Sequence, residues 1–489
     1  MSKQQMSMVS LNNFIAGRDR PSLGSATLAV TTPFTGKAIC AMPAGDEGDV
    51  SAAVSDAAEA FQDKRWEGLA PSLRKKILFR WADSIEAQAA ALDQLDAEDM
   101  GKPVSVAAFN ARSAASLLRF NAESIDKIFG QTLPSAQRSL VMQRWAPRGV
   151  VAAITPWNFP TFNAVLKMAP ALAAGNTVVV KPSELSPRSA LELARLAVEA
   201  GLPAGALNIV LGKGEIVGKA LSLHHAVNMV SFTGSSEVGK LVLGYAAQSN
   251  MKPVLAECGG KSPHVVMDDA VDLDAVAAMV AATITTNQGQ WCSVGSRLIV
   301  AESIVDELVD KVVRGFERLV PGDPLIASTT FGPLASARQR DRVASYIDGA
   351  RRAGARVIGG GPSLPEEGGC FFAPTVVIAK SVDEPICQEE VFGPVLSVLT
   401  FRDLDEAIRL ANSTAFGLLA YAWTSDISTG MKLSEGIRSS VLLNAALPAG
   451  EGPGHGFSSE PVGESGMGME GGVEGIKSYL RRQTVWLNF

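Results

Sequence analysis

The sequence predicts an α/β protein with two doubly wound parallel sheets and a small β arm. Two observations carry this. Short apolar β-runs alternate with helical stretches from about residue 149 to 233, and a second such series follows Glu257. In addition, the polar and glycine-rich motifs of the first series sit at the carboxyl ends of its runs, where open parallel sheets bind ligands.

Residues 46–130 read as mostly helical cover. Asp49-Val50-Ser51 opens an Ala-rich segment to about Lys64. Pro71-Ser72 starts a second helix with Leu73, Ile77 and Trp81 at helical spacing. A third runs from about Ile85 and stops near Gly101-Lys102-Pro103. Arg138–Arg148 reads as an extended hairpin or arm. The β-runs of the first series are Gly149–Ile154, Thr177–Val180, Leu207–Leu211 and Asn228–Phe232, with helices at 163–174 and 187–200 between them. In the second series they are Ser262–Met267, Arg297–Val300, Arg356–Ile358 and Val395–Phe401, separated by helices at 273–286, 303–319, 337–354 and 404–412. Gly452–Gly475 reads as a glycine-rich loop. The tail carries a β-like run, Gln483–Leu487, able to pair with another chain.

Composition narrows the function. The 489 residues carry 44 basic and 50 acidic side chains, a net charge of −6, which argues against a nucleic-acid binder or an anionic-membrane partner. Apolar residues make up 47% and charged ones 19%, as in a globular protein of two or three domains. The five cysteines are scattered without a CxxC pair, and the four histidines form no ligand-spaced cluster. Neither a disulfide framework nor a metal site is expected. The polar start lacks an apolar signal core, and no apolar run reaches membrane-spanning length, so a reducing, cytoplasmic setting is expected.

The motifs have plain readings beside functional ones. Gly212-Lys213-Gly214 through Gly218 resembles a dinucleotide turn with altered spacing; an ordinary strand-to-helix turn explains it equally. In Phe232-Thr233-Gly234-Ser235-Ser236, glycine admits close backbone approach and a serine can cap a helix, which suits a pyrophosphate or simple capping. Lys181-Pro182-Ser183-Glu184 places a carboxylate where it could accept from both ribose hydroxyls of an adenosine, or could pair with its neighbouring lysine at the surface. Cys292 follows Asn287-Gln288-Gly289-Gln290-Trp291, so backbone can approach it closely. A thiol amid backbone N–H groups is expected to have a lowered pKa and to act as a nucleophile. Glu257, beside Gly259-Gly260, suits a general base, while Cys258 should point to the opposite face. Asn158, between Pro156 and Pro160, is a rigid amide suited to an oxyanion, or to an Asx-turn. His224-His225 reads as helix-end polarity.

Taken together and in this order, TPWNFP, KPSE, FTGSSEVG, ECGGKSP, NQGQWC and EEVFGPV resemble the aldehyde dehydrogenase superfamily, from about Phe14 to Trp486. The resemblance implies a cofactor domain (1–125 and 148–259), a catalytic domain (260–459) and an oligomerisation arm (126–147 and 470–489). It implies a homodimer or homotetramer in which the arm adds to a partner's sheet. It also implies that Cys292 attacks an aldehyde, that Asn158 and the Cys292 N–H hold the oxyanion, and that Glu257 activates the water that hydrolyses the thioester. Lys167 and Glu470 match proton-relay positions. Cofactor matches are Ile154, Trp157, Lys181, Ser183, Glu184, Gly214, Gly218, Phe232, Gly234, Ser235, Val238, Glu390 and Phe392. Glu184 favours NAD, with NADP possible.

The chain departs from the family at Cys258, where leucine is commoner, and over Ser458–Gly466, where a PFGG-like segment is altered. Leu166 stands where relatives that oxidise carboxylate-bearing semialdehydes often have arginine. With Phe159, Trp291 and Phe457 it suggests an apolar tunnel for an aromatic or medium-chain aliphatic aldehyde. The alternatives are a semialdehyde dehydrogenase and a CoA-acylating enzyme; Glu257 favours the hydrolytic route. A non-catalytic scaffold would be expected to lack Cys292, Glu257 or Asn158.

Overall fold

A computed structural model describes residues 9–270, 272–359, 369–445 and 455–489. The start of the glycine-rich segment (452–454) and most of the polar N-terminal start (1–8) lie outside the described residues. Among the described residues, the chain builds two large sheets and a three-stranded ribbon.

The first large sheet has a parallel centre in the order Leu207–Ile209, Thr177–Lys181, Val150–Ile154, Met229–Thr233 and Val254–Glu257. Val150–Ile154 and Thr177–Lys181 are buried throughout, which is why they read as unbroken apolar runs. Asn13–Ile15 and Arg18–Arg20 extend one edge antiparallel. At the other edge Gly466–Met467 returns from far along the chain to pair with Ala256-Glu257. The chain runs outward from Val150–Ile154 through Thr177–Lys181 to Leu207–Ile209. It then crosses back to place Met229–Thr233 on the other side. The switch point therefore lies between Val150–Ile154 and Met229–Thr233, and the loops beyond their carboxyl ends begin at Thr155 and Gly234.

The second sheet runs Arg356–Gly359, Thr375–Ile378, Val395–Phe401, Arg297–Ala301, Pro263–Val266, Leu419–Trp423 and Ser440–Leu443. All its pairs are parallel except that of Arg356–Gly359 with Thr375–Ile378. Only Cys258–Ser262 separates Glu257 at the end of the first sheet from Pro263 at the start of the second. The carboxyl end of one sheet thus meets the amino end of the other. Cys292 precedes Arg297–Ala301 and Glu390 precedes Val395–Phe401, so both stand at amino ends. The sequence rule of carboxyl-end sites holds for the first sheet and reverses for the second.

The expected helices form. Asp46 accepts from the Asp49 N–H and caps Glu47–Gln62. Pro71 opens Pro71–Ala87, and Ala89–Met100 stops at Gly101, whose φ of 87° suits glycine. In the ribbon, Leu480–Asn488 pairs with Ser139–Pro147 of the same chain over nine residues, and Gln131–Leu133 lies on the far side. The tail strand expected to seek another chain is therefore paired on one edge within its own. Residues 470–480 also do more than form an arm: Ile476, Tyr479 and Leu480 are buried in the first domain's core, and the Tyr479 hydroxyl lies 2.8 Å from Ser231 Oγ.

Candidate active site

Asn158 leaves the switch-point strand by way of Thr155-Pro156-Trp157 and is 6% exposed. The helix Pro160–Ala173 starts just behind it, with proline in the first turn. The buried Asp96 carboxylate accepts from Thr161 N at 3.2 Å and Thr161 Oγ1 at 3.1 Å, fixing that helix start. The Asn158 side-chain nitrogen donates to the Gln290 carbonyl at 3.0 Å, two residues before Cys292. Asn287 Nδ2 donates to the carbonyls of both Asn158 (2.8 Å) and Gln290 (3.2 Å), tying the two loops together.

The approach to Cys292 is backbone-strained. Asn287, Gln288 and Gly289 have φ of 47°, 55° and 70°, three successive left-handed residues. A Cβ on Gly289 would fall 2.3 Å from the Gly393 carbonyl, so only glycine fits there. On the far side, the Tyr421 hydroxyl donates to the Ser293 carbonyl at 2.8 Å.

Cys292 is half-buried, with its sulfur 3.7 Å from Ser293 Oγ. Its thiol pKa is pushed up to about 12, chiefly by burial and further by the carboxylates of Glu257, Glu390 and Glu470. This corrects the expected depression: here desolvation and three nearby acids outweigh any stabilisation of the thiolate by Ser293 and the backbone. At rest the sulfur is protonated.

Glu257, at the end of its strand, is 8% exposed, and its Oε1 is buried without a partner. Burial, then the Glu470 carboxylate, holds its pKa well above the usual carboxylate range, with Lys167 opposing. Lys167 and Glu470 pair at 2.6 Å. Cys258 points the other way, as alternation requires: a Cβ on Gly239, in the helix Ser236–Gln248, would fall 2.6 Å from its sulfur.

Glu390 lies across the seam between the sheets. Its Oε1 accepts from the Gly260 N–H at 2.9 Å, and burial raises its pKa to about 7. A Cβ on Gly259 would fall 2.6 Å from Glu390 Oε2, so a side chain there would displace the carboxylate. Trp157 and Phe392 meet edge to face at 5.3 Å, with Phe392 in the left-handed region at φ 59°.

The remaining cofactor candidates line the first sheet's carboxyl ends. Lys181 is buried and pairs with the half-exposed Glu184 at 2.9 Å, so the ion pair weighed from the sequence forms. Burial pulls the Glu184 pKa up, but Lys181 wins and leaves it lowered. Ser183 is largely buried, whereas Ser235 is exposed and its hydroxyl accepts from the Val238 N–H at 3.3 Å, capping Ser236–Gln248. Ile154 and Phe232 are buried beneath, and Val238 is exposed. A Cβ on Gly214 or Gly218 would meet nothing closer than Lys181 Nζ at 3.9 Å or Ile154 Cδ1 at 3.8 Å, which leaves open space above that turn. On Gly234 it would strike the Phe232 ring at 2.5 Å. Open space over the Gly214–Gly218 turn, beside a carboxylate and a buried lysine, fits a dinucleotide.

Of the substrate candidates, Leu166 is partly exposed and Phe457 is 53% exposed. Phe159 and Trp291 are packed into an aromatic cluster with Phe109 and Phe162, and the Trp291 indole N–H donates to the Thr283 carbonyl. These two therefore back the wall more than they line it. Sequence reasoning named Asn287 only as part of the Cys292 approach and did not single out Asn163, Phe162 or Tyr421. A buried amide between Phe162 and Ala164 on a largely apolar helix was the available signal for Asn163. Among the described residues, no three His, Cys, Asp or Glu side chains gather as a metal site, and no helix is long and apolar enough to cross a membrane.

The profile described as the aldehyde dehydrogenase family matches residues 21–485. The chain is 40% identical to an aminoacetaldehyde dehydrogenase of Pseudomonas aeruginosa over 480 residues, covering 97% of this chain and 95% of that one. It is 40% identical to a phenylacetaldehyde dehydrogenase of Pseudomonas fluorescens, covering 94% and 92%. An indole-3-acetaldehyde dehydrogenase crystallised with NAD+ superposes with a TM-score of 0.95 at 38% identity, covering 99% and 98%.

Proposed function

This chain belongs to the aldehyde dehydrogenase family, and on that premise we propose that Cys292, Asn158 and Glu257 perform the oxidation of an aldehyde to its carboxylic acid. The observation that supports it most is the convergence at one seam. The Asn158 amide is bonded into the Cys292 loop, and the Glu257 carboxyl is near enough to perturb the Cys292 thiol.

The protonated Cys292 must lose its proton before attack. Glu257, with raised proton affinity and an unpartnered buried oxygen, is suited to take it and to hand it on to the Glu470 carboxylate of the Lys167–Glu470 pair, which returns Glu257 to the carboxylate before hydrolysis. The thiolate then adds to the carbonyl carbon. The Asn158 side-chain N–H and the Cys292 backbone N–H hold the oxyanion of the thiohemiacetal. A nicotinamide held by the residues named below would supply the acceptor for the hydride that leaves this carbon. Glu257 next draws a proton from the water that hydrolyses the Cys292 thioester, and the Lys167–Glu470 pair beside it offers a route for that proton. This favours water over CoA as the resolving nucleophile.

Lys181, Ser183 and Glu184 would hold the adenosine ribose, the Gly214 and Gly234 turns the phosphates, and Glu390 the nicotinamide ribose. NAD is the proposed cofactor, because a 2′-phosphate would meet the Glu184 carboxylate. The proposed substrate is an aromatic aldehyde, with medium-chain aliphatic aldehydes also accepted. Phe162, Leu166 and Phe457 offer apolar surface, and relatives are named for phenylacetaldehyde and indole-3-acetaldehyde. A homodimer or homotetramer is proposed because Leu480–Asn488 leaves one edge open, with Trp486 70% exposed. Five free cysteines suit a reducing cytoplasm.

The deciding experiment is nicotinamide absorbance with phenylacetaldehyde, hexanal and succinate semialdehyde, at saturating NAD and NADP, beside Cys292→Ala. Loss of nearly all oxidation in the variant is expected. Full activity without the thiol would remove the chemistry, and preference for succinate semialdehyde would remove the substrate class.

A further inference from the structure

The Asn158 amide must present nitrogen, not oxygen, to a developing negative charge. Two neighbours bear on that choice. The Gln290 carbonyl, an acceptor only, faces the Asn158 nitrogen at 3.0 Å. On the other side, Asn163 Nδ2 donates to Asn158 Oδ1 at 3.1 Å. Reversing the Asn158 amide would set its oxygen against the Gln290 carbonyl, so the Asn158 orientation is fixed and Asn163 must be the donor.

Asn163 stands five residues after Asn158, on the first turn of the helix Pro160–Ala173, and is 8% exposed. Its neighbours on that helix are Phe162, Ala164, Val165 and Leu166, so it is a polar side chain in an apolar stretch. A buried amide in such a stretch is costly unless bonded. The helix is itself anchored by Asp96 through both polar atoms of Thr161, which gives Asn163 a fixed base.

We propose that Asn163 is a positioning residue for the oxidation: it locks the oxygen of Asn158 away from the reacting carbonyl and leaves the second amide N–H free for the oxyanion. It also polarises that amide, because donation to a carbonyl oxygen makes the attached N–H a stronger donor. This rests on the reading of Asn158 as the oxyanion donor. Asn163 is buried with its side-chain nitrogen bonded to Asn158, so its effect is expected in kcat and not in the binding of aldehyde or nucleotide.

The test uses the full chain with phenylacetaldehyde and NAD. Asn163→Leu keeps the side-chain size and removes the donor. It is expected to lower kcat about tenfold, with KM for both substrates within about twofold, the scale of one buried hydrogen bond. Placed in an Asn158→Ala background, the same change is expected to have no further effect on kcat. Asn163→Asp supplies a second readout if the leucine variant folds poorly. Its carboxylate repels Asn158 Oδ1, while its protonated form can donate, so its activity relative to the parent at the same pH should rise as pH falls from about 9 to about 6. An undiminished kcat in Asn163→Leu, an equal loss in the Asn158→Ala background, or a pH-independent ratio for Asn163→Asp would each overturn the proposal. Full activity in Asn158→Ala alone would instead overturn the oxyanion reading beneath it.

Discussion

Lys167 and Glu470 form an ion pair at 2.6 Å, with the lysine side chain fully buried and the glutamate 11% exposed, joining the helix behind Asn158 to a segment 303 positions later. Removing one partner of such a pair leaves a buried charge uncompensated, which costs about 3 kcal/mol or more. Lys167→Met should therefore lower the melting temperature clearly. It should also raise the proton affinity of Glu257 further, because Lys167 is the group that opposes the rise. Calorimetry beside a pH–rate profile checks both; an unchanged melting temperature would count against the pair's role.

Glu257→Gln separates oxidation from hydrolysis. At alkaline pH, where hydroxide can take the Cys292 proton in place of Glu257, the thioester should still form, giving a burst of reduced nucleotide near one equivalent per site, while steady turnover falls by about 10² or more. Rapid-mixing absorbance reads both phases. A variant that turns over at the parental steady rate would exclude Glu257 as the base for water.

The pH dependence has a definite sign. A thiol held near 12 loses its proton more readily as pH rises, and a carboxyl held above its usual range becomes a base only above its own raised pKa. Both effects push activity toward alkaline pH, so kcat/KM should climb from neutral pH to about 9. A profile that falls over that interval would show that bound substrate or cofactor reverses the resting electrostatics.

Glu184→Ala should relax the choice of nucleotide. The ratio of kcat/KM for NADP to that for NAD is expected to rise about fivefold, since one partly solvated carboxylate is worth about 1 kcal/mol against a phosphate. Parallel titrations with the two nucleotides measure it. An unchanged ratio would place the discrimination elsewhere.

Much of this was readable in the sequence because the central strands of the first sheet are buried on both faces. Valine-rich runs such as Thr177–Lys181 then announce themselves. The second sheet was read less fully. Leu419–Trp423 contains alanines and no β-branched residue, and becomes a strand because it pairs on both sides, with Pro263–Val266 and Ser440–Leu443. Gly466–Met467 is only two residues long, and its place beside Glu257 is set by long-range pairing that no local pattern encodes.

The candidate site divided in the same way. Cys292, Glu257 and Asn158 stood out as reactive residue types at the ends of runs. The direction of the Cys292 pKa did not, because it depends chiefly on burial by the folded chain, and then on carboxylates brought in from positions 257, 390 and 470. Phe159 and Trp291 looked like tunnel residues by type, but packing turns them into the aromatic cluster.

The late return of the chain to the first sheet has a bearing on biosynthesis. Met467 pairs beside Glu257, Glu470 neutralises Lys167, and Tyr479 closes the core under Ser231. A ribosome must therefore release residues beyond 480 before the site is whole. Until then the nascent polypeptide carries Cys292 without the carboxylate from position 470 and the first sheet without its last strand.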